Sequence, residues 1–230
     1  SMDARAIGGE KKMTAIKTEK ATFAGGCFWC MEGPFEKIDG VISAVAGYTG
    51  GHLDDPSYED VTSGDTGHLE AVQVEFDPDK VSYETLVEVF WRQIDPTDEG
   101  GQFADRGTQY ATAIFFHDDN QKKTAETSKG RLEKLGVFNR PIATAIRPAE
   151  KFYPAEDYHQ DYYEKNPARY NAYKSASGRT GFIDKAWKGC PLPRTAVQPP
   201  ESNRIVDIPG DDELKEKLSP LQYDVTRRNA

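Results

Sequence analysis

Strand-like and helix-like segments alternate from about residue 20 to residue 188, and this alternation limits the fold more than any other feature. Lys20 to Gly26 has a β-prone Thr-Phe centre and ends in Gly25-Gly26, a strand running into a tight turn. Cys27 to Ile38 follows as a helix, with Pro34 limiting its length or kinking it. Val41 to Tyr48 is apolar and β-branched, and Gly47, Gly50 and Gly51 punctuate its end. Leu69 to Phe76 alternates, with Leu69, Ala71, Gln73 and Glu75 on one side and Glu70, Val72, Val74 and Phe76 on the other. Ser82 to Ile94 is an amphipathic helix with a capping Ser82. Tyr110 to Phe116 is a strand, Asp118 to Leu135 a polar helix, and Ala143 to Ile146 another strand. Ala155 to Tyr163 and Pro167 to Lys174 read as helical. Interleaved elements of this kind predict one α/β or α+β domain of residues 20–188.

The ends differ from this body. Ser1-Met2 reads as an expression remnant, and residues 1–19 as a polar, disordered N-terminus without an apolar h-region. From Pro191 to Gly210 there are prolines but no period, so residues 189–210 read as an extended linker. Asp211 to Leu218 has the charge order of a short helix, too short to be stable alone. The polar ends explain why only 37% of the 230 residues are hydrophobic.

Composition also narrows function. A net charge of −9 is not the footprint of a nucleic-acid binder, and no apolar stretch is long enough for a transmembrane helix. Three cysteines are too few, and odd in number, for a disulfide scaffold. They point to chemistry instead of architecture.

The strongest local signal is Gly25-Gly26-Cys27-Phe28-Trp29-Cys30-Met31-Glu32. A cysteine after a strand and turn, at a helix start, faces free backbone N–H groups, which favour the thiolate. Cys30 sits one turn later, within bridging reach after modest adjustment. A nucleophilic cysteine that becomes oxidised needs a second thiol to condense with. Phe28 and Trp29 offer an aromatic wall, while Phe23 reads as core. The same spacing also suits a thioredoxin-like exchange motif or half of a zinc site, with Cys190 and one of His52, His68, His117 or His159 completing the ligands. The segment Asp95 to Gln109 reads as a long loop, and loops of that length line sites or move.

Taken together, these residues resemble the A-class peptide methionine sulfoxide reductases. The resemblance rests on Gly26-Cys27-Phe28-Trp29 with Glu32 three residues after the tryptophan, Gly47-Tyr48-Thr49-Gly50-Gly51, and Tyr58-Glu59-Asp60-Val61. It continues through Ser63-Gly64-Asp65-Thr66-Gly67-His68-Leu69-Glu70, Phe90-Trp91, Asp95-Pro96-Thr97, Asp105-Arg106-Gly107-Thr108-Gln109-Tyr110 and Tyr158-His159-Gln160-Asp161-Tyr162. It implies a two-layer sandwich, ferredoxin-like, with a mixed β-sheet and flanking helices. It also implies a peptide-methionine (S)-S-oxide reductase that repairs oxidised protein, needs no bound cofactor or metal, and takes electrons from thioredoxin. Cys27 would be the nucleophile and Glu70 the acid that protonates the departing oxygen. Tyr58 and Tyr110 would bind the sulfoxide oxygen, Asp105 would support them, and Phe28 and Trp29 would hold the S-methyl group.

Some members carry a resolving cysteine after an Asn-Pro segment. Asn166-Pro167-Ala168-Arg169-Tyr170-Asn171 has none. Another branch has the second cysteine inside the signature and a segment like Ser177-Gly178-Arg179-Thr180-Gly181-Phe182-Ile183, which assigns resolution to Cys30 and leaves Cys190 a free surface thiol. His68 reads as a turn or hydrogen-bonding residue, and His159 as packing or a site wall. Residues 211–230 resemble the start of a B-class reductase domain, implying a fused second domain. The working compartment is expected to be the cytoplasm.

Overall fold

The computed structural model describes residues 17–188. The linker, the C-terminal tail and Cys190 lie outside the described residues, as does most of the N-terminal stretch.

The central strand β1 (Glu19–Gly25) pairs antiparallel with β3 (Leu69–Phe76) on one side and β6 (Thr112–Phe116) on the other. Strand β2 (Val41–Thr49) pairs antiparallel with β3. The helices α1 (Glu32–Glu36) and α3 (Tyr83–Trp91) connect β1 to β2 and β3 to β6. This β-α-β-β-α-β path, with strand order β6-β1-β3-β2, is the ferredoxin-like arrangement. Two outer strands extend it. β7 (Ala145–Pro148) lies parallel to β6 and β8 (Phe152–Pro154) antiparallel to β2, so the six-stranded sheet is mixed.

The alternation seen in the sequence sorts residues between the faces. Ala21, Phe23, Val72, Val74 and Phe76 point to the helical side and join the main core. Ala24, Leu69, Ala71, Ala113 and Phe115 form a smaller cluster on the other face. Phe23 is the aromatic centre of the core, stacked at 5.0 Å on Phe35 and 5.2 Å on Phe90. Capping fixes where the helices begin. Ser82 Oγ accepts from Thr85 N–H (3.1 Å) at α3, and Asp118 Oδ1 from Gln121 N–H (2.8 Å) at α4 (Asp119–Lys134). Helix α2 (Tyr58–Thr62) carries a capping box between Ser57 and Asp60. The C-terminal part adds α5 (Tyr162–Lys165), α6 (Pro167–Ala176) and α7 (Arg179–Ala186).

Three expectations need correction. The helix read over Cys27 to Ile38 is broken into a 3-10 turn, Phe28–Cys30, and the short α1. Ala155 to Tyr163 is mostly turn, and helix begins only at Tyr162, because Gln160 bonds the backbone of Ala46 and Ala155 and ties the segment to β2. The Asp95 to Gln109 loop contains a small hairpin, β4 (Gly101–Gln102) and β5 (Asp105–Arg106), followed by a 3-10 turn, Thr108–Tyr110.

Candidate active site

The end of β1 delivers Cys27 into the core side of the sheet. Gly26 makes the turn at φ +78, and a Cβ there would meet Gln102 Cβ at 2.5 Å. Only glycine suits both demands. Gln102 is held in turn by Asp95, accepting from its N–H (2.8 Å) and donating to its carbonyl (2.8 Å). The loop after α3 is thereby pinned against the cysteine turn, as its unusual length suggested.

Cys27 and Cys30 are both buried thiols, joined through the turn by Cys30 N–H donating to the Cys27 carbonyl at 3.0 Å. Glu70, only 2% exposed, lies on the core face of β3, and its Oε2 accepts from the Phe28 N–H at 3.0 Å. Burial raises the Glu70 carboxyl well above the ordinary range. The Phe28 bond opposes this only in part, and the nearby Asp105 adds to it. Glu70 is therefore a neutral acid beside the cysteine turn.

Around these groups the side chains named from the sequence converge. Tyr58 and Tyr110 are buried enough that their phenols stay protonated, and both lie within electrostatic reach of Glu70 and Cys27. Asp105 is buried, which raises its carboxyl, and it accepts a 2.5 Å hydrogen bond from the Tyr173 hydroxyl. Trp29 stacks on Tyr162 with centroids 3.8 Å apart and donates from Nε1 to His159 Nδ1 at 3.1 Å. Because Nδ1 accepts, neutral His159 carries its proton on Nε2. Burial lowers its pKa to about 4, so it is neutral in the working range. The same ring lies 5.0 Å from Phe28 and 4.6 Å from Tyr58, making His159 a wall of the site. His68 is instead a loop clamp. Its Nδ1 accepts from Gly51 N–H at 3.1 Å, and Nε2 lies 2.7 Å from the Leu53 carbonyl.

The thiolate expectation for Cys27 is corrected. A three-residue 3-10 turn has no extended dipole to offer, and burial pushes the Cys27 thiol well up, aided by its hydrogen bond to Cys30. Cys30 goes the other way, to about 7, because Cys27 donates to it and Arg179 and Lys174 face it, against the opposing effect of burial. Cys27 is therefore the donor of the thiol–thiol hydrogen bond and Cys30 its acceptor, the sulfur on which negative charge is favoured.

Several residues escaped sequence reasoning. Glu156 binds the Tyr58 N–H (2.9 Å) and the Tyr48 hydroxyl (2.9 Å), fixing one wall. Tyr173 holds Asp105, and Tyr162 supports Trp29. Their helices pack on the site only after the chain has passed round the sheet, so nothing local marks Tyr173, and the motif that contains Tyr162 does not show that it supports Trp29.

Among the described residues, no third ligand joins Cys27 and Cys30 to make a zinc site. The one converging set, Glu32, Glu36 and Asp161, has oxygens within 4.8 Å of one another. Glu36 there accepts from Tyr163, and Asp161 lies 3.4 Å from Lys165.

The chain that builds this cysteine pair, carboxylic acid, two phenols and aromatic wall is similar in sequence and fold to known proteins. A family model described as peptide methionine sulfoxide reductase matches residues 19–190. The chain is 58% identical over 173 residues to the peptide methionine sulfoxide reductase MsrA of Bacillus licheniformis, covering 75% of this chain and 96% of that protein. The chain belongs to the A-class peptide methionine sulfoxide reductase family. The MsrA of Listeria monocytogenes is 56% identical over 177 residues, covering 77% of this chain and all of that one (100%). Among solved structures, reduced Mxr1 from Saccharomyces cerevisiae superposes with a TM-score of 0.60 at 36% identity, over 66% of this chain and 87% of that one. Methionine sulfoxide reductase A of Corynebacterium diphtheriae gives 0.58 at 34% identity, over 66% and 76%. The A-class reductase described here is thus an oxidoreductase acting on methionine sulfoxide, and its fold is that of the family. No helix among its described residues is long and apolar enough to cross a membrane.

Proposed function

We propose that this reductase repairs the S epimer of peptide methionine sulfoxide, with Cys27 as nucleophile, Glu70 as proton donor and Cys30 as resolving thiol. The observation that carries this reading is Glu70, a buried and neutral carboxylic acid bonded to the N–H of the residue after Cys27. A sulfoxide oxygen departs only once protonated, and a carboxyl kept neutral by burial is the donor such a step needs.

The proton inventory closes. The Cys27 proton passes along its hydrogen bond to Cys30, so the nucleophilic thiolate forms without changing the net charge of the pair. Cys27 sulfur attacks the sulfoxide sulfur while Glu70 protonates the oxygen. Transfer of that oxygen to Cys27 releases methionine and leaves a sulfenic acid. Cys30 sulfur then displaces the oxygen as water, forming the Cys27–Cys30 disulfide. Summed, one sulfoxide, one thiol, one thiolate and neutral Glu70 give methionine, a disulfide, water and ionised Glu70, which takes its proton back from solvent. Tyr58 and Tyr110, protonated at all working pH, hydrogen-bond the sulfoxide oxygen, and Asp105 supports them. Phe28, Trp29 and neutral His159 enclose the S-methyl group, where sulfur–aromatic contacts are favourable. No step requires a metal or a bound cofactor.

An external dithiol of the thioredoxin type reduces the disulfide by exchange through a mixed disulfide. A pair that must be returned to thiols suits a reducing compartment such as the cytoplasm. In this reading residues 20–188 act as the catalytic unit, and the sequence from 211 resembles the start of a B-class reductase domain.

The test is turnover of racemic methionine sulfoxide by reduced protein with and without thioredoxin. Cys27→Ser forms no methionine. Cys30→Ser forms about one equivalent and recycles poorly with thioredoxin. Consumption of both sulfur epimers, or normal recycling by Cys30→Ser, overturns the assignment.

A further inference from the structure

The structure assigns Arg179 a role in recycling: its buried guanidinium is the fixed counter-charge that positions the Cys27–Cys30 loop and holds Cys30 as the leaving and resolving sulfur. This deepens the proposed function and rests on Cys30 being the resolving thiol.

Arg179 opens α7 and is only 1% exposed. Its Nη2 donates to the Gly25 carbonyl at 3.1 Å, and its Nη1 to the Gln93 carbonyl at 2.6 Å. Nη1 also lies 3.9 Å from Met31 Sδ, and a Cβ built on Gly26 would meet Nη2 at 3.0 Å. The guanidinium therefore touches the chain just before Cys27 and just after Cys30. Phe103 covers one face of it, 4.7 Å from the ring centre. Among the described residues no carboxylate comes within ion-pair distance of it. Buried guanidinium groups are ordinarily paired, because an isolated buried charge is costly. Here the charges that face it are Cys30, charged in only part of the cycle, and the Asp105 carboxyl beyond it.

The groups facing Cys30 come from every side. Arg179 and Lys174 are the cations, from α7 and α6. Cys27, Asp105 and Glu70 face it from the turn, β5 and β3, and Tyr170 and Tyr173 from α6. Of the cations, Arg179 contributes most to the Cys30 thiolate. In the dithiol state Arg179 has its counter-charge. In the disulfide state only the more distant Asp105 carboxyl faces it. Reduction, in which the disulfide takes two electrons from a dithiol reductant and one proton to give the Cys27 thiol and the Cys30 thiolate, restores that partner. Arg179 thereby makes the disulfide easier to reduce and makes Cys30 the better leaving thiolate.

The test measures Cys30 directly, as the pH dependence of its alkylation by iodoacetamide in a Cys27→Ser background, where the serine hydroxyl can still donate to Cys30. Arg179→Met and Arg179→Gln are compared with Arg179→Lys; glutamine keeps a donor for Gly25 without the charge. The midpoint is expected to rise from about 7 toward the ordinary thiol value of about 8.5 in the two neutral variants. Lysine is expected to restore most of the shift. In protein with both cysteines, equilibration with dithiothreitol at pH ~8 should find the disulfide harder to reduce in the neutral variants, by at most about eightfold, or ~27 mV, the limit set by loss of the whole Cys30 shift. If the methionine variant does not fold, the glutamine variant carries the comparison. A midpoint unchanged in the glutamine variant, or moved equally by lysine, overturns the role. Failure of the underlying reading shows separately, as normal recycling by Cys30→Ser.

Discussion

Replacing Glu70 with glutamine isolates proton donation from everything else the carboxyl does. The Phe28 N–H that donates to Glu70 Oε2 at 3.0 Å can donate equally to a glutamine carbonyl, so the turn after Cys27 keeps its anchor. Glu70 is already neutral, because burial raises its carboxyl, so the substitution barely alters the charge felt by Cys27. What is lost is an acidic proton. An amide can offer a hydrogen bond to the sulfoxide oxygen but cannot transfer a proton to it. Removing a positioned general acid lowers the chemical step by about 10²–10⁴-fold, roughly 3–5 kcal/mol of transition-state stabilisation. The assay is a rapid-quench measurement of methionine released in a single turnover by reduced protein without external reductant, which excludes recycling. The first-order rate should fall by about that factor, with substrate affinity changed less than about tenfold. A single-turnover rate within about threefold of the parent from pH ~6 to ~9 would refute the argument that burial holds Glu70 as the acid.

Other substitutions test separate links. Tyr173→Phe removes the hydroxyl that donates to Asp105, so the buried carboxyl should rise further and the first turnover slow, by about tenfold for one lost charge-assisted bond. Single-turnover kinetics show it. Phe23→Ala empties the centre of the aromatic core between Phe35 and Phe90, and denaturant unfolding should report a loss of about 3–5 kcal/mol. Glu32 gives a signed pH test. Burial raises its carboxyl to about 8, against the Asp161 N–H that donates to it. Between about pH 4.3 and that value the folded state holds a proton that the unfolded state has lost, so this group's contribution falls as pH rises through the interval. Glu32→Gln should therefore stabilise the protein at pH ~7 and have little effect at pH ~4, read from paired urea titrations.

Periodicity carried the sheet and the longer helices into view because those elements bury one face each. β3 is the clearest case. Its alternation placed Glu70 with Val72, Val74 and Phe76, and that face is the core face. Short elements were less visible. Phe28–Cys30 and α1 share an apolar stretch that reads as one helix, yet it breaks at Met31, because Pro34 has no N–H to donate to the Cys30 carbonyl. The hairpin inside Asp95 to Gln109 is held by Gln102, whose partners lie seven residues away at Asp95, and no local pattern announces it. The site was legible as residue types but not as electrostatics. A cysteine at a helix start suggests a thiolate, whereas the burial of Cys27 and the cations around Cys30 exchange the order of the two sulfurs. That exchange rests first on the hydrogen bond Cys27 donates to Cys30, and then on Arg179 and Lys174, about 150 residues downstream, which reach the turn only through the packing of α6 and α7.

The most direct test of the account is peptide mapping by mass spectrometry after one turnover of reduced protein with methionine sulfoxide in the absence of reductant. The account predicts one methionine released per chain and a single disulfide joining Cys27 to Cys30. A disulfide joining Cys27 to Cys190, or a sulfenic acid trapped on Cys30 instead of Cys27, would contradict it.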